Sequence, residues 1–233
     1  MFSRRAFFIN TAAASFATIS AAHAQDACSV FTPARQQSTT PEAALQLLKD
    51  GNARFVAGAT VNCSLVAQVR ATASGQSPFA VVVGCIDSRV SPELVFDQRI
   101  GDIFAARIAG NFVNDDIVAS LEFATKVAGA KAIVVLGHTE CGAIKGGIDG
   151  AKLGLLTQML QNFNPAIEAS RAIEGERSSK NKKLVQAVAD TNALLATKKL
   201  TDRSEILRDL VAKQELLIAA AMHDIGTGAV KFL

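Results

Sequence analysis

Two short runs of uninterrupted apolar residues set the plan of the chain, residues 79–84 (Phe-Ala-Val-Val-Val-Gly) and 132–137 (Ala-Ile-Val-Val-Leu-Gly). Neither alternates with polar residues, which is the pattern of a strand buried on both faces of a parallel sheet. Residues 103–108 predict a further strand, apolar except for Arg107. Residues 216–221 predict another; Asp224, Ile225 and Gly226 then turn the chain, and 229–233 return as a hairpin. Between the strands, apolar positions recur at helical spacing. Thr40, Pro41 and Glu42 open one helix with a capping hydroxyl, a proline at the first helical position and an acid in the first turn. Leu45, Leu48, Phe55 and Val56 form its apolar face. A shorter helix follows over 64–72. Asn114 caps a helix running to about Val127, whose Ile117, Leu121, Phe123 and Ala124 are spaced for burial. The stretch 153–210 reads as helical, with 182–197 and 201–212 as its later helices, and 25–39 reads as an irregular polar arm. Strands alternating with helices predict an α/β fold, a central and mostly parallel sheet flanked by helices.

Size and charge narrow the partners. A chain of 233 residues with formal net charge +3 suits a single globular domain and lacks the basic face that phosphate tracking needs, so nucleic acid is not an expected partner. Past the N-terminus no apolar run is long enough to span a bilayer. The N-terminus itself predicts a targeting segment: Arg4 and Arg5 precede an apolar, alanine-rich stretch, and Ala22-His23-Ala24 forms a small-x-small cleavage site. Residues 1–24 are expected to be a twin-arginine-type signal peptide, 25–233 the mature domain, and the periplasm the destination.

The candidate chemistry lies where the two apolar runs end. The first leads into Cys85-Ile86-Asp87-Ser88-Arg89, the second into His138-Thr139-Glu140-Cys141-Gly142. Ligands bind at the carboxyl ends of strands in open α/β sheets. Two thiolates and an imidazole suit zinc, and a catalytic zinc keeps a fourth position open. Asp87 is the candidate for that position; it can close the site on the metal, or pair with Arg89 and leave the metal to water. The remaining cysteines, Cys28 and Cys63, are both in the N-terminal part and could pair in an oxidising compartment or remain free. Glu140 reads as a loop acid, His223 as a surface histidine, and Lys180, Lys182 and Lys183 as a solvated helix face.

These paired motifs resemble those of the β-class carbonic anhydrases. Gly75-Gln76-Ser77-Pro78 before the first strand, Gly101-Asp102-Ile103-Phe104 leading to Arg107, Glu122-Phe123-Ala124 and the closing Asp224-Ile225-Gly226-Thr227-Gly228 extend the resemblance over the mature chain. It implies one Zn2+ per chain held by Cys85, His138 and Cys141, joined by Asp87 in a closed state. It implies reversible hydration of carbon dioxide to bicarbonate and a proton by hydroxide generated at zinc. Asp87 and Arg89 would be the catalytic dyad, Gln76 a substrate contact from a partner subunit, Phe104 and Phe123 the walls of an apolar substrate pocket, and the Gly142 N–H an orienting donor for bicarbonate. It also implies a homodimer or tetramer with the site at the subunit interface. Some members bind bicarbonate in a second, regulatory pocket of Trp, Arg and Tyr. Arg107 matches that arginine, but the chain has no Trp and no Tyr, so no such inhibition is expected; its other role would be pairing with an acid near the sheet edge. Two other functions remain open on the same residues: hydrolysis of carbonyl sulfide or carbon disulfide, and a zinc-stabilised protein without turnover.

Overall fold

The structure, a computed structural model, describes residues 28–233. The expected signal peptide therefore lies outside the described residues. Five strands form one sheet, β1 (Ala80–Gly84), β2 (Ile103–Arg107), β3 (Ala132–His138), β4 (Leu217–His223) and β5 (Val230–Phe232), in the order β2-β1-β3-β4-β5. The first four are parallel and β5 runs antiparallel to β4. The two apolar runs are the central strands, every residue of β1 and β3 being buried. β2 is an edge strand, and its residues alternate between buried or half-buried and more open positions.

Both faces of the sheet are covered, as continuous apolar strands require. On one face Val82, Val134 and Leu136 meet Ala44 and Leu48 of a helix Pro41–Val56, together with Phe96 and Phe31. On the other, Val81, Val83, Ile133 and Val135 meet Leu184, Val188 and Leu200 of a helix Lys182–Arg203 and Leu207 of Glu205–Ala212. Thr40 and Asn114 cap their helices as expected, their side chains accepting the N–H of Ala43 and Ile117.

In chain order the helices are α1 (Pro33–Ser38), α2 (Pro41–Val56), α3 (Leu65–Thr72), α4 (Pro92–Val95), α5 (Asp115–Glu122), α6 (Gly142–Ile148), α7 (Gly154–Leu160), α8 (Asn164–Ala169), α9 (Lys182–Arg203) and α10 (Glu205–Ala212). Three details differ from the sequence reading. The arm is not wholly irregular: Thr32 caps α1, with Pro33 at its first position. The helix capped by Asn114 turns from α to π geometry over Phe123–Val127. Leu121 and Ala124 are buried, but Phe123 is 54% exposed, because it falls outside the helical spacing that Ile117, Leu121 and Ala124 share.

The arm is tied down at the amino ends of the strands. The Phe31 N–H donates to Asp102 Oδ1, the Phe31 ring lies 4.8 Å from that of Phe79, and Gln36 Nε2 donates to the carbonyls of Pro78 and Ala128. Cys28 and Cys63 form a disulfide that links the arm to the segment before α3. No helix of the described residues is long and apolar enough to cross a membrane.

Candidate metal centre

Parallel strands in register deliver their last residues to one edge. Gly84 pairs with Leu136, so Cys85 leaves β1 beside the end of β3, where His138 is the last strand residue. The chain then reverses through Glu140, whose φ of +58° lies in the left-handed region, and Cys141 precedes α6. The ligand atoms of Cys85, His138 and Cys141 lie within 4.8 Å of one another, and all three residues are buried. Donors on one tetrahedral zinc stand about 3.3–3.8 Å apart for the usual metal–nitrogen and metal–sulfur bond lengths, so the cluster needs only slight contraction.

The histidine is prepared for a ligand. Its Nδ1–H donates to the Thr139 carbonyl at 2.9 Å, which leaves Nε2 with a lone pair. That nitrogen is fully buried and has no hydrogen-bond partner among the described residues. A buried, unpaired acceptor costs about 1–3 kcal/mol unless something binds it. A metal ion also suits the sulfurs. The Cys141 thiol beside Cys85 pushes the Cys85 thiol down, while the same pairing, with burial, pushes Cys141 up, so the pair favours one anionic sulfur that a cation can bind. The Cys85 sulfur also accepts the Gly110 N–H at 3.2 Å. The residues present therefore fit zinc on geometry, burial and donor chemistry.

Asp87 stands at the open side of this cluster and is held by Arg89. Its Oδ1 accepts the Arg89 backbone N–H at 3.0 Å and Nε–H at 2.9 Å, and its Oδ2 accepts Nη2–H at 2.7 Å. The guanidinium holds the Asp87 carboxyl well below the usual carboxylate range, and Asp87 in turn raises Arg89. Asp87 Oδ2 nevertheless lies only 3.9 Å from His138 Nε2, within a short swing of the metal position.

Other expected site residues lie elsewhere in the same chain. Phe104 and Phe123 face each other with ring centroids 6.4 Å apart, in an open groove of about 580 Å³ also lined by Val81, Ala106, Ile117 and Ala124. Phe104 is in register with Val81, four residues before Cys85, or about 13 Å along the strand. Gln76 is exposed and precedes β1, at the end opposite Cys85. Gly142 is exposed at the start of α6, directly after Cys141. One chain thus brings together Cys85, Asp87, Arg89, His138, Cys141 and Gly142, and leaves Gln76, Phe104 and Phe123 apart from them.

Three features escaped the sequence. Arg107 pairs with no acid among the described residues; it donates to the carbonyls of Cys85 and Asp87. Gly110 reaches a ligand sulfur through its backbone, which no side-chain pattern announces. His223 is not on the surface but 3% exposed, with both ring nitrogens unpartnered among the described residues. The reason is that β4 continues through it, paired with His138 on one side and Val230 on the other; burial lowers its pKa. Glu140 forms an ion pair with Lys145.

Comparison with known proteins gives one family. The profile of the carbonic anhydrase family matches residues 80–230. Carbonic anhydrase 2 of Mycobacterium tuberculosis (strain CDC 1551 / Oshkosh) is 44% identical over 120 residues, covering 51% of this chain and 58% of that protein. The chain thus spans under two thirds of that relative's length. A carbonic anhydrase of Mycolicibacterium smegmatis is 41% identical over 140 residues, covering 58% of this chain and 68% of the relative. Among solved structures, one of two tetrameric β-carbonic anhydrases of the fungus Sordaria macrospora superposes with a TM-score of 0.62 at 28% identity, covering 69% of this chain and 83% of that one.

Proposed function

The chain belongs to the β-class carbonic anhydrase family, and on that footing we propose that it catalyses the reversible hydration of carbon dioxide to bicarbonate and a proton. The observation that carries this reading is the buried Cys85–His138–Cys141 cluster, with His138 Nε2 unpartnered and Asp87 drawn off it by Arg89. Cys85, His138 and Cys141 would hold zinc, which as a Lewis acid makes water a competent nucleophile near neutral pH. Asp87 accepts a hydrogen bond from the attacking water through a carboxylate oxygen and so orients its lone pair toward the substrate. Because Arg89 keeps that carboxylate ionised, Asp87 is an acceptor and never a competing donor. The Gly142 N–H offers a fixed donor to an oxygen of the product.

Carbon dioxide is apolar and requires an apolar wall beside the nucleophile. Phe104 and Phe123 supply one, but on the β2 edge, and Gln76 lies at the far end of β1. In our reading a second copy of the chain presents these groups to the metal cluster, so the working enzyme is a homodimer or an assembly of dimers. Export fits the same picture: a disulfide between Cys28 and Cys63 suits an oxidising compartment, and we place the enzyme in the periplasm after removal of residues 1–24. Terminal sequencing of the exported protein should begin at Gln25; retention of Arg4 and Arg5 would count against processing.

Stopped-flow hydration assays on metal-loaded wild type, Asp87→Asn and Arg89→Ala, with zinc counted per chain, test the proposal. Both variants should hold zinc and lose most of the hydration rate, about 10²-fold or more for a group that orients the nucleophile. Wild type that holds one zinc and shows no hydration at neutral or alkaline pH would refute it in favour of a structural metal.

A further inference from the structure

Arg107 is the last residue of β2 and stands in register with Gly84, the residue before Cys85. Its side chain crosses to the neighbouring strand end. Nε–H donates to the Cys85 carbonyl at 2.8 Å, and Nη2–H donates to the Asp87 carbonyl at 2.6 Å. The same Asp87 carbonyl accepts the Val90 N–H at 3.0 Å. One planar guanidinium therefore fixes both ends of the three-residue segment that carries a metal ligand and the gating carboxylate. Ile86, between the two anchored carbonyls, is 61% exposed and offers no packing that could hold the segment instead.

We propose that Arg107 is a positioning residue that keeps the Asp87 carboxylate on Arg89 and off the metal. The inference rests on the metal-site reading above. Asp87 Oδ2 is 3.9 Å from His138 Nε2, so a small displacement of the Asp87 backbone is enough to let its carboxylate take the fourth position. The Arg89 side chain is half exposed and moves with the same loop, so it does not anchor Asp87 to the rest of the protein. Arg107 does, because its own backbone is hydrogen-bonded into the sheet. A lysine would keep the charge but has no rigid fork to hold two carbonyls at once. A further N–H from the same connection, that of Gly110, rests on the Cys85 sulfur, and Asn192 of α9 holds the Gly110 carbonyl at 2.9 Å. The ligand and the gate thus share one support, the end of β2 and the turn that follows it.

The test replaces zinc by cobalt(II) and follows its visible bands while azide is titrated into the fourth position. Wild type, Arg107→Ala, Arg107→Lys, Asp87→Asn and the double variant R107A/D87N are compared at one cobalt per chain. Azide should bind about tenfold more weakly to R107A than to wild type, with R107K between them. R107A/D87N should bind azide within about twofold of D87N, because no carboxylate remains to compete. Azide affinity of R107A within about twofold of wild type overturns the proposal. So does a double variant that falls as far below D87N as R107A falls below wild type, since the effect would then bypass Asp87. Should R107A not retain cobalt, R107K decides in the same way, and wild-type affinity in R107K overturns the inference. Wild type that binds no cobalt overturns the metal-site reading itself, and the two failures are thereby distinguished.

Discussion

Replacing Gly110 by alanine should damage the fold and the metal centre together. Gly110 has φ +77°, a left-handed conformation that costs an L-residue about 1–2 kcal/mol. An added Cβ would stand 2.3 Å from Phe163 Cζ, 2.7 Å from its Cε1 and 3.2 Å from Ala143 Cβ. Phe163 has no room to yield: it is fully buried and held edge-to-face by Phe112 at 6.1 Å. Overpacking of this kind costs about 1–3 kcal/mol. The expected loss is therefore about 2–5 kcal/mol, out of a total of about 5–15 kcal/mol for a domain. Relief can come only by moving the backbone, and that carries the Gly110 N–H away from the Cys85 sulfur, so zinc should also be surrendered to a lower concentration of chelator. Urea unfolding with an unchanged slope measures the first effect, and chelator competition the second. Gly142→Ala is the control, because its Cβ would meet nothing within 4 Å; its stability should be unchanged or raised by up to about 1 kcal/mol through helix propensity. A G110A midpoint indistinguishable from wild type would refute the packing argument. Normal stability with early loss of zinc would instead separate the N–H contact from the packing.

The disulfide should stabilise by about 3–4 kcal/mol, since it closes a loop between cysteines 35 positions apart; reductant or Cys63→Ser should lower the unfolding midpoint, and an unmoved midpoint would show that the arm is held by Phe31 and Gln36 alone. A strong chelator should abolish hydration, and added zinc should restore it; activity that survives at zero measured zinc would exclude the metal role. Isolated heterodimers of Gln76→Ala and Cys85→Ser chains should recover up to about half of wild-type activity, because one of the two sites in a mixed dimer then has an intact metal cluster and an intact partner glutamine. No recovery in proven heterodimers would sink the two-chain site. Asp224 accepts the N–H groups of Gly226 and Thr227, which lowers its pKa. Its contribution is present above the unfolded carboxylate pKa and is lost as pH falls through the folded value. Asp224→Asn keeps the acceptor oxygen and should therefore lose less stability than wild type between pH 6 and pH 3; equal acid sensitivity would show that this turn does not contribute.

The parts of this protein legible in its sequence are those written in side chains at fixed spacing. Continuous apolar runs identified β1 and β3, because a strand buried on both faces has no polar position to spare. The ends of those runs then located Cys85 and His138, since parallel register brings carboxyl ends together. Thr40 and Asn114 marked helix starts through the hydroxyl and amide that cap them. Legibility failed where structure depends on neighbours distant in sequence. His223 is buried by pairing with β3 and β5, which its own residue type does not signal. Phe123 is out of step with Leu121 and Ala124, yet an aromatic among apolar residues reads as core. The short α1 was hidden in a polar arm whose packing partners, Phe79 and Pro78, lie more than forty residues on.

The same distinction explains why the metal ligands were easier to find than what supports them. Cys85, His138 and Cys141 act through their side chains, so their chemistry is declared by residue type. Gly110 acts through an N–H, and Arg107 acts on two carbonyls; every residue has such groups except for the proline N–H, and only the folded backbone selects which of them meet. Arg107 carried one local signal, a lone cation ending an otherwise apolar strand, and that signal fits an anion, an acid or a carbonyl equally well. Geometry chooses the carbonyls. The choice has a chemical consequence, because a guanidinium bound to the peptide groups of Cys85 and Asp87 holds the loop without competing for the Asp87 carboxylate. Arg89 then keeps that carboxylate ionised, and Arg107 sets its place.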